Sequence, residues 1–172
     1  MPNFRTVLPL EKASIDINYQ SSILCIGSCF TENIGNLLID SKFPTLLNPF
    51  GILYNPISIK NSLATLLSKK EYKADDLFLH QGLWRSFDHH GVFADPNKQQ
   101  TLTRINRQLN VARTFLPETK QLILTFGTAN AFTKKSTGTI VANCHKLPNI
   151  DFEKRRLSIA EISNGLMPIL EQ

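Results

Sequence analysis

The sequence predicts an α/β fold organised on a parallel sheet, and three observations predict it. A short apolar run, Ile23-Leu24-Cys25-Ile26, stops at Gly27 and gives way at once to a helical pattern. The order then recurs: Thr45-Leu46-Leu47, an Asn48-Pro49-Phe50-Gly51 loop, and a second helix opened by the cap Asn55 and by Pro56. A third core strand is expected over 121–126, after a helix over 98–115. Alternating strands and helices are the mark of βαβ units, which demand a parallel sheet.

The individual elements follow from their side chains. The first helix is expected over 31–41, with Glu32 in its first turn and Ile34, Leu37 and Leu38 on one face. The second helix carries a Leu63, Leu66, Leu67 stripe and ends at Lys69-Lys70. Segments 77–80 and 83–87 flank Gln81-Gly82 and predict an inserted hairpin. Asp95-Pro96-Asn97 then leads into the long helix. A second hairpin is expected between 131–133 and 139–143, turning at Lys135-Ser136-Thr137-Gly138. Ser158-Ile159-Ala160-Glu161 has the capping-box pattern of a final helix.

Composition narrows the function classes. The 172 residues, 42% apolar, amount to one domain (1–172) with a real core. No apolar run approaches the ~18 residues that span a bilayer. Met1-Pro2-Asn3-Phe4-Arg5-Thr6 lacks the basic head and apolar core of a secretion signal, so a cytoplasmic location is expected. Three irregularly spaced cysteines fit a reducing compartment rather than a disulfide scaffold. The net charge of +5 is dispersed. Lys69-Lys70, Lys134-Lys135 and Lys154-Arg155-Arg156 read as solvated helix ends and turns, without the aromatic platform of a nucleic-acid site. Neither a nucleic acid nor a membrane is expected as a partner.

The chemistry concentrates after the first strand, where Ser28 and Cys29 follow Gly27. In an α/β fold this turn lies at the carboxyl end of the sheet, where ligands bind. Unpaired N–H groups open the next helix there and favour a thiolate or a developing oxyanion. Cys29 is therefore either a nucleophile or a small thiol packed beneath the helix, whereas Cys25 reads as core. No Cys-x-x-Cys or His-x-x-x-His spacing points to a metal. His145 or His89 serves Cys29 as a base only where the fold brings it within about 3 Å. His90 reads as structural. Trp84, with Phe78 and Phe87, reads as hairpin core or, if it faces the crevice, as a stacking surface for substrate.

Several blocks also carry a resemblance. Gly27-Ser28-Cys29-Phe30, Asn48-Pro49-Phe50-Gly51-Ile52-Leu53-Tyr54-Asn55-Pro56, Ser86-Phe87-Asp88-His89-His90, Phe126-Gly127-Thr128-Ala129 and Val141-Ala142-Asn143-Cys144-His145-Lys146-Leu147-Pro148 resemble, in order, the blocks of the GSCFA domain family. That family is related to the SGNH (GDSL-like) hydrolases, and the resemblance runs from Phe4 to near the C-terminus. It implies a three-layer, flavodoxin-like sheet of about five parallel strands. Three are readable here, so the C-terminal strands and the family's catalytic histidine are expected beyond Gln172. Truncation would leave the third strand as a sheet edge open to self-association.

For the site, the resemblance places Cys29 where SGNH enzymes have their nucleophilic serine, with Ser28 supporting the turn. Gly51 falls where a backbone N–H serves the oxyanion hole. Thr128 and Asn130 fall near a block whose asparagine donates to the oxyanion. Asn130 stands one residue late, where the family favours an aromatic residue. The implied activity is a cofactor-free hydrolase or acyltransferase acting on a small-molecule ester or acylated glycan. The alternative is a non-catalytic binding domain, or a partial domain awaiting a complementary segment.

Overall fold

A computed structural model describes Pro9 and residues 14–172. The N-terminal stretch Met1 to Thr6, compared above with a secretion signal, and Phe4, where the family resemblance begins, lie outside the described residues. The protein is mixed α/β. Strand β1 (Ile23–Gly27) is followed by α1 (Cys29–Asp40), β2 (Thr45–Leu47) and α2 (Pro56–Leu67). The hairpin β3 (Phe78–His80) and β4 (Leu83–Arg85) precedes the long helix α3 (Lys98–Phe115) and β5 (Gln121–Thr125). Strands β6 (Asn130–Lys134), β7 (Thr139–Val141) and β8 (Phe152–Arg156) then lead to α4 (Ile159–Leu170).

Three strands form a parallel sheet in the order β2-β1-β5, with Leu24 opposite Leu46 and Leu122, and Cys25 opposite Leu47 and Ile123. The central strand is buried throughout, as its unbroken apolar run requires. Alternation assigns the faces. Leu24 and Ile26 join a core with Ile59, Leu63 and Leu66 of α2 and Ile105, Leu109 and Ala112 of α3. On the other face α1 packs over β1 and β2. Gly35 allows this approach, since a Cβ there would stand 2.5 Å from a Leu47 methyl. Helices therefore cover both faces of the sheet.

The helices start where side chains can cap them. Asn55 Oδ1 accepts from the Ser58 N–H at 2.8 Å, and Asn97 Oδ1 from the Gln100 N–H at 3.1 Å. Ser158 and Glu161 form the expected reciprocal box. The first helix departs from expectation at its start. It begins at Cys29 rather than at residue 31, because the Ser28 hydroxyl caps it by accepting from the Phe30 N–H.

A second correction concerns Lys154-Arg155-Arg156, which form neither a helix end nor a turn. They belong to β8, which pairs antiparallel with β6 in a separate sheet of order β7-β6-β8. Only Phe152 of β8 is buried, so backbone pairing holds a strand that hydropathy cannot reveal.

The core predicts a contrast in stability. Leu109→Ala, at a position 2% exposed, should cost about 2–5 kcal/mol in urea unfolding, whereas Leu37→Ala, at 62% exposed, should stay within about 0.5 kcal/mol. Equal losses would mean that the core is wrongly placed.

Candidate functional site

The turn from β1 into α1 is fixed from two sides. The Thr125 hydroxyl, at the end of neighbouring strand β5, accepts from the Ser28 N–H at 3.1 Å and lies 2.9 Å from Ser28 Oγ. It also hydrogen-bonds to the Thr31 hydroxyl. Thr125 stands opposite Gly27 in the ladder, and a Cβ on Gly27 would meet its carbonyl oxygen at 2.4 Å. Glycine is required there by close approach. From the other side, Asn48 Oδ1 accepts from the Gly27 N–H at 2.9 Å, and Asn48 Nδ2 donates to Glu32 Oε2 at 3.4 Å. Asn48 sits at φ 43°, a left-handed conformation that asparagine tolerates well.

These ties separate the roles of the two adjacent nucleophile candidates. Ser28 is buried and its hydroxyl is taken up by Thr125 and the helix cap. Cys29 is exposed, in the first turn of α1 at the carboxyl end of the central strand. Its N–H precedes the first intrahelical bond, from Glu32 N–H to the Ser28 carbonyl, and meets no acceptor among the described residues. The other two thiols are less exposed. Burial pushes the Cys25 thiol up to about 11 and raises that of Cys144, so both stay protonated. Phe30, Tyr54 and Phe126 present exposed apolar surface near this end of the sheet, with the Tyr54 ring packed beside Gly127 and Ser28.

The remaining sequence-derived candidates are engaged in contacts of their own. Gly51, at φ 74°, lies against His90, and its N–H donates to the Asn48 carbonyl at 2.7 Å. That donor is already engaged in a turn. The Thr128 N–H donates to the Tyr54 carbonyl, and the Thr128 hydroxyl accepts from Asn130 Nδ2 at 3.1 Å. Trp84 packs on the core cluster with the Lys98 ammonium 4.4 Å from its ring centre.

His89 and His145 are turned inward. His89 is 1% exposed, stacked on Phe50 and edge-on to Tyr72 and Phe93, with Nδ1 2.9 Å from Ser86 Oγ. His145 is buried too. Its Nε2–H donates to the Ser86 carbonyl at 2.7 Å, and Nδ1 accepts a long bond from Arg85. Among the described residues neither imidazole hydrogen-bonds to Cys29. Burial drives His89 down to about 3, and burial foremost, with Arg85 adding to it, lowers His145. No set of three His, Cys, Asp or Glu residues is arranged to hold a metal among the described residues.

The residues at this turn, and the blocks around the buried histidines, are those of one family. The GSCFA family model matches residues 22–172. The chain belongs to the GSCFA family. No curated protein and no solved structure matches it. No described helix is long and apolar enough to cross a membrane.

Sequence reasoning passed over Thr125 and treated Asn48 only as part of a motif. The available signal was a threonine closing the strand that neighbours Gly27, but register is needed before that position acquires meaning.

The buried histidines give the protein an acid sensitivity of definite sign. Below about pH 6.5 the unfolded chain takes up protons that native His89 refuses until about pH 3. Stability should therefore be full above pH 6.5 and fall as pH drops through that window, by up to about 1.4 kcal/mol per pH unit for His89 alone. Urea titrations at successive pH values read this slope, and His89→Phe should flatten it.

Proposed function

We propose that this GSCFA protein is an SGNH-like acyl hydrolase or acyltransferase with Cys29 as nucleophile. The observation that carries the reading is the exposed Cys29 thiol beside a buried, fully engaged Ser28. The strand-turn-helix setting is shared with the Gly-Asp-Ser turn of SGNH hydrolases, and a flavodoxin-like sheet would place both at the same crevice. The substrate class is a small-molecule ester or an acylated glycan.

The reaction runs in two steps. The Cys29 thiol releases its proton to solvent, and the thiolate attacks the ester carbonyl. The tetrahedral oxyanion is met by the free N–H at the start of α1. Collapse forms a thioester and expels an alkoxide, which takes a proton from water. Water, or an acceptor hydroxyl, then attacks the thioester, releasing the acyl group and restoring the thiol. Glu32, one turn along the same helix, is the carboxylate best placed to receive a proton at this end. Its link to Asn48 orients it.

A second reading, a non-catalytic or partial domain, is favoured by the two histidines, which are engaged in the core rather than turned to Cys29. It is supported also by β5, whose outer edge has no partner strand among the described residues and which bears the exposed Leu122. On this reading copies associate through that edge. Sedimentation should then give a mass that rises with concentration, and Leu122→Lys should return it to the monomer. A constant monomer mass would remove this support.

Hydrolysis of p-nitrophenyl acetate tests the enzymatic reading. Cys29→Ala should abolish it, and Thr125→Val should lower it about tenfold or more by loosening the turn while retaining the thiol. An unchanged rate in Cys29→Ala would falsify the nucleophile assignment.

A further inference from the structure

A groove that none of this chemistry uses lies between the β6–β7 turn and the segment that leads into β8. Its cavity, about 450 Å³, is in the range of small-molecule sites. The floor is aromatic: Phe78 and Phe87 stack with ring centres 4.0 Å apart, and Phe152 meets Phe87 edge-on at 6.4 Å. One wall is Leu147, Ile150 and Asp151, with Ile150 76% exposed. Lys134 and Lys135 form the opposite rim.

Both walls are preformed. Lys134 stands opposite Phe152 in the β6–β8 ladder, so the cation and the aromatic floor share one face of the sheet. The Lys135 N–H donates to the Asp151 carbonyl at 2.9 Å, which ties the two rims together. Among the described residues neither lysine forms an ion pair with a carboxylate. The Lys134 ammonium instead lies 4.3 Å from the centre of the Phe87 ring. Past Lys134 the surface turns acidic, with Asp75, Asp76 and Asp88.

We propose that this groove binds a small amphiphilic monoanion, with an aromatic body on the Phe78, Phe87 and Phe152 floor and one carboxylate at Lys134 and Lys135. The exposed Ile150 covers the bound ring. The two ammonium groups outweigh the Asp151 carboxylate that also lines the groove and leave attraction for one negative charge, and the carboxylates beyond Lys134 disfavour a second. The site is independent of Cys29 and of the reaction proposed there.

The test uses the full chain with 4-phenylbutyrate and its uncharged counterpart 4-phenylbutan-1-ol, read by the NMR shift of the Ile150 methyl group. The acid should saturate the shift in the millimolar range or below and bind about tenfold more tightly than the alcohol. The double variant Lys134→Gln, Lys135→Gln should bring the two ligands to equal affinity. Ile150→Ser, at an exposed position that does not threaten folding, should weaken both. Equal affinity of acid and alcohol for the unaltered protein would overturn the proposal. So would shifts located elsewhere, or no saturation by about 10 mM.

Discussion

The hydroxyl of Thr125 is the point on which the architecture around Cys29 depends. It lies at the end of β5, receives the Ser28 N–H, and is shared with the hydroxyls of Ser28 and Thr31. Through it the second strand of the parallel pair dictates where α1 begins. Ser28, held by Thr125, caps the helix one residue before the thiol, so Cys29 emerges in the first turn. The same neighbour excludes any side chain at Gly27. Three small polar residues and one glycine thus convert a sheet register into the position of a sulfur atom. Each such part-buried hydrogen bond is worth only about 1 kcal/mol net, but leaving its partner unsatisfied costs more.

The loop from Asn48 to Asn55 couples this turn to the rest of the molecule. At one end Asn48 binds the Gly27 N–H. In the middle Phe50 enters the core and stacks on His89, while Gly51 lets the chain pass His90 closely. At the other end Asn55 caps α2. Ser86 gathers the two buried imidazoles, through its hydroxyl for His89 and its carbonyl for His145. Ser86 offsets part of the cost of burying the imidazoles by meeting one ring nitrogen of each. These contacts join the β3–β4 hairpin region to the segment after β7.

Much of the fold was legible because its elements announce themselves locally. The apolar run of β1, the Asn55-Pro56 start of α2 and the Asn97 cap of α3 are signals contained within a few residues. Helix α3 runs over 98–115 as the pattern requires. What stayed hidden depends on pairing. Strand β8 is a run of charges with one buried phenylalanine, and only its ladder with β6 makes it a strand. The site divides in the same way. That the Gly27-Ser28-Cys29 turn joins a strand to a helix could be read directly, but which of Ser28 and Cys29 faces solvent was set by Thr125, distant in sequence. The histidines looked like candidate bases because residue type says nothing of orientation, and burial then engaged them with Ser86.

The central claim is that the turn presents Cys29 to attack an acyl group. The most direct measurement is the mass of the protein and of its peptides moments after mixing with an activated acetyl ester. The account predicts one added acetyl group, carried by the peptide containing Cys29 and lost again on standing as water releases it. Acetylation confined to lysines, or a stable adduct on another residue with Cys29 unmodified, would contradict it.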